Sequence, residues 1–162
     1  MKKLLTLSVA VFALAFSAAA SADEFTLNAS AYIAPQLGIK DTQDIDFGSI
    51  VPSKTATGSV TMAPDGGRTG ENVILLSSGN TPVQGQVTVT GAPLTQLTVS
   101  FQNGTMTNGT GGTMTITDIN STGGVTTDAS GDLPLNIGAK LNIGIAQADG
   151  TYAGTYTLVV NY

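Results

Sequence analysis

The chain has 162 residues and carries six Lys and Arg against eleven Asp and Glu, a formal charge of −5, with no cysteine, histidine or tryptophan. The length suits one domain. The charge argues against nucleic acid or an anionic membrane as partner, and the missing residue types leave neither disulfides nor a nucleophilic triad built on His or Cys.

The N-terminus reads as an export signal. Lys2 and Lys3 precede a short apolar run from Leu4 to Phe16, and Ala20-Ser21-Ala22 offers a small-residue cleavage site before Asp23. The apolar run is short for a membrane span. Residues 1–22 are therefore expected to be a signal peptide cut between Ala22 and Asp23. The mature chain then holds four cations (Lys40, Lys54, Arg68, Lys140) against eleven acids, a formal charge of −7.

Phe25, Leu27, Ala29, Ala31 and Ile33 alternate with polar residues, which predicts an amphipathic strand ended by Pro35 and Gly38. Ile45 to Ile50 and Gly58 to Met62 predict two more, the second closed by the turn Pro64-Asp65-Gly66-Gly67. Val73 to Leu76 is a continuous apolar run, expected to be buried on both faces. Val83 to Thr90 and Leu97 to Phe101 alternate again. Polar loops are expected at 103–112 and 121–132, separated by a strand through Met114 and Ile116. Leu133 to Ile137 and Lys140 to Ala146 predict two strands, and Asp149-Gly150 a hairpin turn. Tyr156, Leu158, Val160 and Tyr162 then share one face of the final strand. Nine or ten short strands with turn signals between them predict an all-β chain, an immunoglobulin-like antiparallel β-sandwich.

Catalytic equipment is scarce. Ser53-Lys54 are adjacent, which in a strand sends them to opposite faces. The acids form no spacing that selects a glycosidase pair. Asp41, Asp44 and Asp46 have the composition of a calcium loop but lack the EF-hand spacing and its terminal Glu. The expectation is a protein that is not an enzyme, with no catalytic residue, cofactor or metal.

The signal peptide and the two terminal strands resemble those of chaperone–usher pilins. Tyr162 stands twelve residues after Gly150, with Tyr156, Leu158 and Val160 alternating between them. This is similar to the C-terminal strand that a periplasmic chaperone reads in that family, although the aromatic is here the last residue rather than the penultimate one and the usual disulfide is missing. A second resemblance covers most of the chain. Asp46-Phe47-Gly48, Gly66 to Thr69, Val87 to Gly91 and the finale from Gly150 through Tyr152, Gly154 and Tyr156 to Tyr162 look like a family of secreted bacterial domains of unknown function, often regarded as pilin-like.

The pilin resemblance implies a division into a leader (1–22), an extension (23–34) and a sandwich domain (35–162). It implies a donor strand formed by Phe25, Leu27, Ala29, Ala31 and Ile33, inserted into the groove of the neighbouring subunit. Implied partners are copies of the chain in a head-to-tail fimbrium, a periplasmic chaperone and an outer-membrane usher during export, and a glycan or protein on a host surface. The alternative is that residues 25–33 fold back into their own domain, giving a self-contained secreted adhesin that binds glycan or protein through its polar loops.

Overall fold

The structure is a computed structural model that describes residues 24–162. The expected leader and its cleavage pair, Ala22 and Asp23, lie outside the described residues. The chain divides into two units, residues 1–32 and 33–162. In the first, the described residues 24–32 are exposed and form no strand; Phe25 keeps 84% and Leu27 88% of its accessible surface. The sequence predicts a strand over 25–33, and among the described residues the structure assigns none before Gly38. Alternation alone does not make a strand when no neighbour takes its backbone groups.

The second unit is an antiparallel β-sandwich. Its strands are β1 (Gly38–Gln43), β2 (Ile50–Pro52), β3 (Gly58–Met62), β4 (Arg68–Glu71), β5 (Val73–Leu75), β6 (Gly85–Thr90), β7 (Thr98–Thr107), β8 (Thr113–Thr122), β9 (Asp132–Ile143) and β10 (Ala153–Asn161). The main sheet runs β1-β6-β9-β8-β7-β10, with β3 also on β9 and β4 on β3; β2 and β5 form a separate pair. Among the described residues no helix is long and apolar enough to cross a membrane.

Strand β9 is the hub. Along one edge its first half pairs with β6 and its second half with β3, while β8 runs along the other edge. Leu133, Leu135, Ile137, Ala139, Leu141 and Ile143 alternate along it, and all are buried. The neighbour changes at Gly138, where a Cβ would stand 2.5 Å from the Met62 carbonyl oxygen. Two apolar clusters flank this point. One holds Phe47, Val60, Met62, Met114, Ile116, Leu141 and Ile143; the other Val87, Val89, Leu97, Leu133, Leu135 and Ile137. Ile119 and Tyr156 pack against both.

Several sequence expectations change. Residues 133–137 and 140–146 are not two strands, because β9 runs unbroken through Gly138. Val73 to Leu76 is not buried on both faces: β5 pairs only with β2, and Ile74 keeps 63% of its surface. The expected loop at 103–112 shrinks to a turn at 108–112, since β7 continues to Thr107. Over 45–50 there is a single bridge, Asp46 to Val83, before β2 begins. Strands β1 and β4 were not expected at all.

Leu135 is 1% exposed at the centre of its cluster. The Leu135→Ala variant should lose about 2–5 kcal/mol of unfolding free energy, through lost burial and the cavity left behind. Urea titration followed by circular dichroism measures it.

Candidate functional site

Strands β1 and β10 stand at the two ends of the main sheet's path, so each has one edge with no strand partner among the described residues. The sheet curls until these edges face each other across the apolar clusters. At one end Tyr162 links the two sides. Its hydroxyl donates to the Pro35 carbonyl and accepts from the Ala92 backbone N–H at 3.0 Å.

Away from this clasp the edges part, and a groove of about 980 Å³ opens between them. One wall is β1 and the segment Asp44 to Pro52. The other runs from Gly150 to Leu158 on and before β10. The floor is formed by buried core residues, including Val87, Ile116, Ile137, Leu141 and Ile143. Apolar side chains lie below the groove, and β1 and β10 each keep an edge with no strand partner among the described residues.

Both rims are held. On the first wall, Arg68 donates to the Phe47 carbonyl from Nη1 and to the Leu76 carbonyl from Nη2, each at 2.9 Å. Asp46 exchanges backbone bonds with Val83, and its carboxylate accepts from Gly48 N–H at 2.7 Å and from Asn80 Nδ2 at 3.3 Å. Gly48 adopts φ +73°, and a Cβ there would meet the guanidinium at 2.3 Å, so only glycine fits beneath the arginine. On the second wall, the Tyr152 hydroxyl donates to the Ala148 carbonyl at 2.8 Å and accepts from Gln147 Nε2 at 2.8 Å and Asn108 Nδ2 at 3.3 Å. Asn108 Oδ1 in turn accepts from the Thr110 and Gly112 amides, which fixes the turn at 108–112. The Ala146 amide donates to the Ser53 carbonyl at 2.8 Å and ties the two walls together at this end.

Tyr156 reaches across the floor from β10, where a Cβ on Gly85 would lie 3.0 Å from its hydroxyl. Burial first, and then the negative charge of Asp44 across the groove, push its pKa above the ordinary tyrosine value.

The structure brings part of the predicted site together. Tyr156, Leu158 and Val160 are half-buried and pack on the core, Gly150 sits in the turn before β10 with φ +135°, and Tyr162 follows the strand as the clasp. Phe25, Leu27, Ala29, Ala31 and Ile33 are all exposed. Of the acids at Asp41, Asp44 and Asp46, the side chain of Asp41 lies outside the described residues; among those described no group of three or more could hold a metal. In the second polar loop, Asp128 Oδ1 accepts from the Ser130 and Asp132 amides, a local turn rather than an open site. Those bonds, that to Asp132 foremost, hold its carboxyl below the ordinary range. The sequence predicts a strand over Ile45 to Ile50 but does not place the segment from Asp44 to Pro52 on a groove, which it meets only through the fold.

Residues 37–162 match the family described as a domain of unknown function, DUF4402. This agrees with the resemblance to secreted domains of that kind; the likeness to chaperone–usher pilins rests on the strand patterns alone. No curated protein matches the chain, and no solved structure does.

Two predictions follow from the groove. Replacing Arg68 with Met removes both carbonyl contacts, and stability should fall by about 1.5–3 kcal/mol, with faster amide exchange concentrated at 46–50 and 75–77. The raised Tyr156 pKa means that the folded chain keeps a proton the unfolded chain loses, so this group's contribution is intact below pH 10.0 and declines as pH rises through the folded value. Tyr156→Phe should flatten the alkaline end of the stability curve; an unchanged slope would show that the phenol is solvated when folded.

Proposed function

We propose a structural role for this chain, which belongs to the DUF4402 family: it is a subunit of a bacterial surface fibre in which residues 23–34 of one copy complete the sandwich of the next. The observation that carries this reading is a matched pair. The sandwich has an open apolar groove between two edge strands, and the chain has an exposed alternating segment of strand length. The wall from Gly150 to Leu158 and the segment from Phe25 to Ile33 each span nine residues, roughly 28 Å when extended.

The physics favours such a joint. An inserted strand would pair with the bare edge of β10 and press alternate side chains onto the floor, which is strand addition in its usual form. Burying Phe25, Leu27 and Ile33 contributes about 1.5–3 kcal/mol each. That sum is comparable with the whole stability of a typical domain, about 5–15 kcal/mol. The contact is head-to-tail, so it propagates rather than closing on itself. In this reading the chain is exported and then assembled at the cell surface. An export chaperone would shield the groove until a neighbour fills it, an usher would pass the subunit out, and no catalytic residue or cofactor is needed.

Removing residues 23–33 should abolish polymers while leaving a subunit that binds an added peptide of sequence 23–34 and melts at a higher temperature with it. Fibres assembled from the truncated protein, seen by electron microscopy, would falsify the reading.

A further inference from the structure

The outward face beside β3 breaks the alternation of burial at one residue. Val60 and Met62 point into the core, which leaves Ser59 and Thr61 on the outer face. Thr61 is exposed, yet Ser59 keeps only 8% of its surface. Its neighbours explain this. Ser59 is paired with Glu71 of β4 on one side and Asn142 of β9 on the other, and Asn142 is paired with Thr115 of β8. Directly opposed residues share a face, so Glu71, Ser59, Asn142 and Thr115 form one polar row across four strands. Lys140 stands in the next row, opposite Thr61 and Thr117. Thr57, Asn72 and Thr113 raise the sides, and the row becomes the floor of a cleft of about 440 Å³.

Ser59 has no use within the fold. Its hydroxyl makes no hydrogen bond with any described residue. It is not sealed off either, since no buried side-chain N or O among the described residues is both closed to solvent and unbonded. A side chain more than nine-tenths buried therefore presents an unused donor and acceptor to the cleft, where native structures normally supply a partner. Asn142 beside it is locked. Its Nδ2 donates to Thr117 Oγ1 at 2.9 Å and to the Thr115 hydroxyl and carbonyl at 3.3 Å, leaving Oδ1 as an acceptor. Glu71 and Lys140 are in no ion pair among the described residues and add one charge of each sign.

We infer that this cleft is a carbohydrate-binding site for a short neutral glycan. The Ser59 hydroxyl, free to donate and to accept, beside the open Asn142 Oδ1 acceptor matches the hydroxyls of a sugar, each of which does both. The paired opposite charges cancel, which disfavours phosphate or a polyanion. No aromatic ring lines the cleft to stack on a sugar face, so dissociation constants of about 1 mM are expected. The site lies on the outer face and does not depend on fibre assembly.

Saturation-transfer NMR on the exported chain tests this, because it observes the sugar and works on subunits and fibres alike. The probes are glucose, galactose, mannose, N-acetylglucosamine, lactose and cellobiose. At least one should receive saturation, with a signal reduced tenfold or more in Ser59→Val, which fills the cleft and removes the hydroxyl. The milder Ser59→Ala should weaken binding without lowering the melting temperature, since its hydroxyl supports no contact in the fold. Absence of transfer to all six sugars overturns the inference. So does transfer that both Ser59 variants preserve, and so does a stronger signal from glucuronate than from any neutral sugar.

Discussion

Everything in the sandwich leans on β9. Six alternate side chains of this strand face inward, and they supply members of both apolar clusters. Its backbone also serves three neighbours, because β6 and β3 share one of its edges in succession. That sharing is possible only where Met62 and Pro64 can come close to the strand, and Gly138 provides the room. A side chain there would push β3 away and leave one edge of the second half of β9 unpaired, with β8 still on the other.

Strands β6 and β3 are both committed to β9, β2 and β5 pair with each other, and no strand among the described residues bridges β1 and β10. Bare strand edges over an apolar floor are hazardous, since any extended segment can pair there. Here the edges are kept apart rather than blunted. The Arg68 contacts hold one wall, the Tyr152 cluster holds the other, and the end links through Ser53 and Tyr162 fix the width. An opening framed this way is already shaped before anything enters it, which lowers the ordering cost of filling it.

Much of the fold was legible in the sequence, and for a uniform reason. Strands β6, β7, β8, β9 and β10 each bury alternate side chains, and alternation is what a sequence displays. Strand β1, Gly-Ile-Lys-Asp-Thr-Gln, and strand β4, Arg-Thr-Gly-Glu, are held by backbone pairing to β6 and β3, so their residues carry no pattern. The run at 73–76 misled in the opposite direction, because its pairing with β2 leaves Ile74 facing outward. The resemblance implied a groove, but its walls were illegible because they depend on the strand order, and Ser59 because an outward serine in a strand looks ordinary until its neighbours are known. Tyr156, Leu158 and Val160 were found because they pack on the core, and the first two line the groove as well.

The clasp at Tyr162 sets how the domain would carry tension. Pro35 is the point where the chain enters the sandwich, and Tyr162 binds its carbonyl while also gripping the turn after β6. A pull on the leading segment therefore arrives first at this phenol and then along the axis of β1. The rungs joining β1 to β6 lie across that axis, so they are loaded in shear and must yield together rather than peel one by one. Mechanical resistance would then be concentrated in the short stretch from Pro35 to Gln43, where Leu37 packs against the core and Ile39 is exposed.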